Sequence, residues 1–429
     1  HHGARGGFPD QAATCLLALA EAARARHAHA EAEAHFTSAL PLLPDPGPAR
    51  MQALKGRGEA RWRLMHFEDA LSDFQAARAL AANLHDLCAE VELLALESAV
   101  CDFCDRRAEA AALIETAHRR APAELPPRVQ ARLANWLGVA RHRAQRWSEA
   151  IELLSQAAAL GDALGDHDTK VGSMLLLAYD LGRSGRADEG ARLLDQVIAI
   201  CERTCDVFHL ATALTNRVEL WRDRKQPARA IADLERAIRL GNQFGLDYVE
   251  TAGTINLAEL QLWQGDLAAA VASAERAHRS ACKRFRDRPL PVVSLYYAHL
   301  LAHAGRLSEA RAVAESAGVG EAELSEPMIA LLPPCLRLAT GGGSEAEWDA
   351  LIERARRDAI SEQLVEIMWL RGKCALRQHS PAAATRALAA ALAEARRLSS
   401  ALSGPIEADL ACAQTMHTRT PTRTLVRAA

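Results

Sequence analysis

Aromatic residues are scarce in this chain. Phe, Trp and Tyr make up 4% of its 429 residues, while hydrophobic residues as a class make up 49%. An apolar half with so few rings is filled by small and aliphatic side chains, here chiefly Ala and Leu, which enter a helix at little cost and pack closely. An excess of one charge is also missing. Fifty-one Lys and Arg stand against 54 Asp and Glu, for a net charge of -3, so no global basic field points to nucleic acid. No apolar stretch approaches the ~18 to 20 residues that span a bilayer, and no membrane partner is expected. The ten cysteines are irregularly spaced and make no disulfide framework, so a reducing cytoplasm is the expected compartment. The opening "HHGARGGFPD" lacks the basic-then-apolar order of a signal peptide. His1 and His2 look like the end of an expression tag, and residues 1–10 are expected to be a disordered start.

What the chain does contain is a period. Small residues following a turn recur at Ala32, Ala70, Ala110, Ala150, Gly190, Ala230, Ala270 and Ala310. The spacing is about 40 residues, inside the range of helical repeat arrays, and only the first interval is slightly shorter. Four residues after each anchor come Phe36, Phe74, Ile114, Leu154, Leu194, Leu234, Ala274 and Ala314. Three further on stand Ala39, Ala77, Ala117, Ala157, Val197, Ala237, Ala277 and Ala317. An i, i+4, i+7 stripe is one buried helical face. Twelve residues before the anchors lies a second small set: Ala20, Gly58, Ser98, Gly138, Ala178, Val218, Ala258 and Ala298. Each unit is therefore two helices, with Gly185, Gly265 and Gly305 expected in the turn between them, where a left-handed backbone suits glycine. A fixed period of this length makes the fold all-α and repetitive.

These features resemble the tetratricopeptide repeat (TPR) family. "MQALKGRGEARWRLMHFEDALSDFQAARAL" places Gly58, Phe67, Ala70, Phe74 and Ala77 on the family signature, and "WLGVARHRAQRWSEAIELLSQA" supplies Leu137 and Gly138. The period exceeds the roughly 34 residues usual in that family. It is similar to the long repeats of kinesin light chains, in "TINLAELQLWQGDLAAA" above all, and of sensor regions in bacterial regulators of the MalT type. The resemblance covers residues 11–318, as eight regular repeats, and implies a right-handed superhelix. Residues 319–416 are expected to hold an irregular unit near Ala350, broken by Pro333 and Pro334. A recovered repeat with Gly372, Ala384, Leu388 and Ala391 follows, and 417–429 are expected to form a disordered basic tail.

Candidate chemistry is sparse. "CDFC", Cys101 to Cys104, could be half of a zinc site with Cys88 and His85, yet Cys101 falls in a slot that holds Leu181, Trp221 and Leu301 in other repeats, so core packing is expected. Cys201 and Cys205 are read in the same way. His85-Asp86 and His167-Asp168 suggest metal-dependent phosphohydrolases, but they fall between repeats without a further ligand pattern and are read as capping residues. No phosphate-binding loop, zinc-protease or nucleophile-elbow motif is present. No catalytic residue, metal or cofactor is expected. The stretch Arg279, Lys283, Arg284, Arg286 and Arg288 carries only Phe285 as a stacking partner and is read as a solvated loop rather than a nucleic-acid site.

The family resemblance implies a partner on the concave side, which the first helix of each repeat lines. Projected on helical faces, the residues turned that way are Lys55, Glu59, Trp62, Asn135, His142, Tyr179, Arg183, Asn216, Glu219, Arg222, Asn256, Glu259, Trp263, His299, Trp369 and Lys373. Mixed charge among aromatics suits a protein segment or peptide rather than a polyanion. Asn216 and Asn256 hold matching places one repeat apart and are expected to grip an extended chain through their amides. The family's carboxylate clamp is not expected, because Glu59 follows Lys55 by one turn and repels a carboxylate. The function that follows is a non-enzymatic scaffold, of the kind that serves as the sensor part of a larger bacterial signalling protein. The alternative is a small-molecule-binding regulatory module for an attached kinase, ATPase or DNA-binding domain. Nothing in the sequence sets the oligomeric state.

Overall fold

The structure, a computed structural model, describes residues 8–104, 106–284, 291–318, 324, 327–341, 343–358 and 361–419. Among these there are helices and no strand. Helices pair in chain order: α1 (Pro9–Ala25) with α2 (His29–Ala39), α3 (Pro48–Arg63) with α4 (Phe67–Asn83), α5 (Leu87–Phe103) with α6 (Arg107–Arg120), and α7 (Pro127–Arg143) with α8 (Trp147–Leu164). They continue with α9 (His167–Arg183) and α10 (Ala187–Thr204), α11 (Val207–Asp223) and α12 (Pro227–Phe244), α13 (Asp247–Trp263) and α14 (Leu267–Arg284), and α15 (Pro291–His303) and α16 (Leu307–Ser316). The chain divides into two compact units, His1–Glu250 and Thr251–Ala429, with the division inside α13.

The periodic small residues hold the pairs together. Every anchor sits at the fourth residue of a second helix, and all are buried. The matching small residue of the first helix lies against the next position of the stripe. A Cβ built on Gly58 would come within 2.6 Å of the Phe74 ring, and one on Gly138 within 2.7 Å of Leu154 Cγ. Where Ser98 replaces glycine, its hydroxyl donates to the carbonyl of the anchor Ala110 at 2.8 Å. Close backbone approach lets each large residue fill its seam, and burying a Phe74 or Leu154 stabilises by about 1.5 to 3 kcal/mol.

The turns inside repeats carry a left-handed residue, as expected at Gly185, Gly265 and Gly305, with φ of 80 to 83°. Met65, Gln145 and Lys225 take the same conformation without being glycine. The second helix then opens on an Arg that turns back to a Glu three residues on. Arg106 meets Glu109, Arg146 meets Glu149, Arg186 meets Glu189 and Arg306 meets Glu309, each at 2.5 to 2.7 Å. The carboxylates also lie at the positive end of the helix dipole.

Beyond α16 the pattern breaks into α17 (Pro327–Ala330) and α18 (Leu332–Gly341), with Pro333 and Pro334 in the first turn of α18, where missing N–H groups cost nothing. α19 (Glu345–Arg357) starts on a reciprocal Ser344–Glu347 capping box. α20 (Ser361–Arg377) and α21 (Pro381–Leu398) restore the repeat, with Ala384, Leu388 and Ala391 buried and Gly372 pressed against Leu388. α22 (Ser403–Arg419) follows. The expected tail lies outside the described residues from 420 on.

Candidate functional site

In the first unit the first helices turn their polar residues toward each other. Lys55 on α3 pairs with Glu92 on α5 at 2.9 Å, and Arg132 on α7 reaches both Glu92 and Glu59 at 2.7 Å. Glu59 also pairs with Arg24 of α1. Burial pushes the Glu92 carboxyl up, but Lys55 and Arg132 outweigh it and hold the group below its ordinary range. The Lys and Glu that the sequence sets one turn apart are thus spoken for inside the network.

Beside this network lies a small polar pocket, about 50 Å³, lined by residues that include Trp62 and Asn135 of the expected groove together with Arg24, His29, Arg63 and Asp168. Trp62 packs on Phe103 and Trp136, with ring centroids 5.8 and 5.5 Å away. Asn135 Oδ1 accepts from the Ser173 hydroxyl at 2.7 Å. The Arg63 guanidinium lies over the Trp62 and Phe208 rings at 4.5 and 4.9 Å and meets Asp168 at 3.1 Å. Phe67 reaches Tyr248 at 6.4 Å. The second repeat therefore touches the fifth, the sixth and the start of the seventh, and the coil of this unit is closed by its own side chains.

The other expected groove residues fall into two kinds. His142 is buried, bonded through Nδ1 to Asp180 Oδ1 at 2.6 Å and packed edge-on against Tyr179. Tyr179 and Asn216 are half-buried and Arg183 is exposed, on the neighbouring first helices α9 and α11. Glu219 accepts from Arg222 at 2.8 Å. In the second unit Trp263 and His299 converge on one carboxylate, Glu366: Trp263 Nε1 donates to it, and His299 Nε2 lies 2.9 Å away. Trp369 donates to Asp409 at 2.7 Å and carries Lys373 4.0 Å above its ring. Burial pushes the Lys373 amine down to about 8. Asn256 and Glu259 are half-buried there. Asn216 and Asn256 belong to different units.

A further grouping joins His167 and Asp168 to His27, Asp206 and His209, which the sequence reading did not single out. His27 from the α1–α2 turn, His167 from the start of α9 and Asp206 from the N-cap of α11 bring one ligand atom each within 4.8 Å of one another. Asp168, Asp206 and His209 do the same. His167 and Asp168 are not caps, as their sequence suggested: Asp166 caps α9, its side chain accepting from Thr169 N. Asp86 does cap α5, as expected.

Cys101 is buried among Trp62, Leu96 and Val100, and burial pushes its thiol up to about 11. Burial pushes Cys201 up to about 12, while Cys205 is exposed at a helix end. Neither pair belongs to a group of potential metal ligands among the described residues. Of the basic stretch, Arg279 and Lys283 are exposed; Phe285, Arg286 and Arg288 lie outside the described residues. Elsewhere in the first unit an open groove of about 530 Å³ runs between α8 and α10, over α9, with Ala158, Met174, Leu193 and Ile200 in its walls.

Pairs of helices stacked with small residues at both contact positions, with left-handed residues in the turns inside pairs such as those at Gln145, Gly185 and Gly265, define the tetratricopeptide-repeat fold, and this chain has it. Solved structures agree. A Rap protein complexed with competence and sporulation factor superimposes with a TM-score of 0.56 at 12% identity, covering 86% of this chain and 97% of that one. The apo form of RapI gives 0.52 at 8% identity, covering 81% and 98%. A signal transduction ATPase with a tetratricopeptide repeat sensor, from Pyrococcus horikoshii, gives 0.51 at 12% identity, covering 79% of this chain and 55% of that one. At such identities the likeness concerns the fold. No protein-family model and no curated protein matches the sequence.

Proposed function

We propose that the chain is a non-enzymatic scaffold whose first-helix face binds a protein segment or peptide, as the sensing part of a bacterial signalling system. The observation that carries this reading is the contrast along that face in the first unit. On α3, α5 and α7 the polar residues are consumed by the Lys55–Glu92–Arg132–Glu59 network. On α9 and α11, Tyr179, Arg183, Asn216 and the Glu219–Arg222 pair keep accessible surface. An aromatic ring, an amide with both donor and acceptor, and charges of both signs suit a polypeptide. The similar Rap protein was solved with a bound factor, and the similar repeats of the ATPase are described as a sensor; both support the reading.

The test is affinity capture from the native lysate with the intact chain as bait, then titration of the captured segment against Tyr179→Ala with Asn216→Ala. The double variant weakens binding by about 1 to 3 kcal/mol, the cost of unpaired polar groups, with unchanged melting. Unchanged affinity removes the site from α9 and α11.

A further inference from the structure

The His and Asp cluster of the first unit is only partly explained by hydrogen bonding. Asp206 Oδ1 caps α11 through His209 N at 3.1 Å. Its Oδ2 faces both His167 Nε2, at 2.8 Å, and His209 Nδ1, at 2.6 Å. These three partners leave the carboxylate about one further acceptor site. His27 is left over: its ring stands 5.4 Å from that of His167, its ligand atom lies within 4.8 Å of those of His167 and Asp206, and its imidazole makes no hydrogen bond to a described residue. Beside it, His29 Nδ1 is buried and has no hydrogen-bond partner. Of three imidazoles around one buried carboxylate, two bond to it and the third, His27, does not.

We propose that His27, His167 and Asp206 form a transition-metal site of the zinc type, oriented by His209 as a positioning residue, and that the ion clasps the α1–α2 turn onto the starts of α9 and α11. Two imidazoles and one carboxylate are borderline donors, which favour zinc and its neighbours over magnesium or calcium. Ligand atoms about 2.1 Å from a tetrahedral ion stand about 3.4 Å apart. The distances here, from 2.8 Å to no more than 4.8 Å, bracket that value, so small ring rotations complete the geometry. Asp206 is held at one oxygen by its cap, and the His209 hydrogen bond fixes the other, the outer support that metal ligands need. His27 and His167 are half-buried, so water reaches the remaining coordination position. Asp168, held by Arg63, balances that cation and leaves Asp206 to the ion.

The ligands come from three segments far apart in the chain, so no linear spacing announces them. The expectation of a metal-free protein arose from the cysteines and the His-Asp dipeptides, each weighed alone.

The test uses the full chain with His1→Ala and His2→Ala, so that the terminal histidines contribute nothing, stripped with chelator and titrated with zinc chloride or cobalt chloride. One zinc per chain by elemental analysis is expected. His27→Gln and His167→Gln each lower zinc affinity at least ~100-fold, and His209→Gln lowers it ~10- to 100-fold and shifts the cobalt absorption band. All three keep wild-type helical circular dichroism in metal-free buffer. Zinc slows hydrogen exchange at the α1–α2 turn and at the starts of α9 and α11 in the parent and not in His27→Gln. The proposal is overturned if no stoichiometric zinc is retained, if both glutamine variants bind zinc as the parent does, or if zinc is lost only on Cys101→Ala. Zinc bound through these residues with unchanged hydrogen exchange refutes the clasp.

Discussion

Gly138→Ala and Gly172→Ala make the same chemical change in two first helices, yet the structure gives them opposite signs. An added methyl in a helix interior is favourable by about 0.8 to 1.0 kcal/mol through backbone entropy. At Gly172 the nearest atom to the new Cβ, apart from its own helix, is His209 Nε2 at 3.9 Å, ordinary contact, so nearly the whole gain survives. At Gly138 the Cβ lands 2.7 and 2.8 Å from Leu154 Cγ and Cδ2 and 3.4 Å from Leu154 N. Leu154 is fully buried, and forcing a methyl into such a seam costs about 1 to 3 kcal/mol. Subtracting the gain leaves Gly138→Ala between neutral and about 2 kcal/mol destabilised. Native-state hydrogen exchange of α7 and α8 reads this locally, which suits a repeat protein that need not unfold in one step. Adding Leu154→Ala to Gly138→Ala should relieve the clash, so the pair costs less than the sum of its parts. If Gly138→Ala protects α7 and α8 as strongly as Gly172→Ala protects α9, the close approach of first and second helices is wrong.

Three further outcomes are expected. Gln145 is exposed with φ at 57°, and Gln145→Gly should stabilise the fourth repeat by about 1 kcal/mol in chemical denaturation, since the left-handed conformation penalises a Cβ; a loss of stability contradicts the turn geometry. His303 is buried with both ring nitrogens lacking a partner, between His299 and Trp369, and burial, with the charges of His299, Lys373 and Arg377, pushes its pKa well below 6.5. The unfolded chain then binds the extra proton, so stability falls as pH drops below 6.5, by up to about 1.4 kcal/mol per pH unit. His303→Phe should flatten that slope between pH 6.5 and 5, and parallel slopes in the two proteins refute the assignment. In native thiol titration the exposed Cys15, Cys205, Cys282 and Cys412 should react first, with the buried Cys101, Cys201, Cys335 and Cys374 reacting only in denaturant; rapid modification of Cys101 removes it from the core.

The repeat was legible in the sequence because its physics is local and periodic. A small residue at one contact demands a large one opposite, as at Gly58 and Phe74 or Gly138 and Leu154, and a large residue returns at that place through the first six repeats, Phe36 to Leu234. Gly185, Gly265 and Gly305 announced their turns, whereas Met65, Gln145 and Lys225 adopt the same backbone with nothing in their side chains to say so. The site was less legible. Trp62 and Asn135 could be named from helical periodicity and both line the small pocket of the first unit, but Arg132, placed between Glu59 and Glu92, depends on how far each helix pair rotates against the next. Glu366 lies between the apolar Val365 and Ile367, and only the fold shows Trp263 and His299 meeting it.

The contacts from Arg63 and Phe67 to Asp168, Phe208 and Tyr248 change how the first unit answers to force. A stack joined only through adjacent neighbours extends like a soft spring, each repeat peeling from the next under tension. Here a pull between α1 and the start of α13 must first tear the cross-links from the second repeat to the fifth, sixth and seventh, so the load is shared and the early extension is stiff. Past that point the remaining repeats yield one by one. A single-molecule force trace of this unit should therefore begin with one tall peak and continue as a low plateau, and removing the Arg63 guanidinium should lower the peak while leaving the plateau in place.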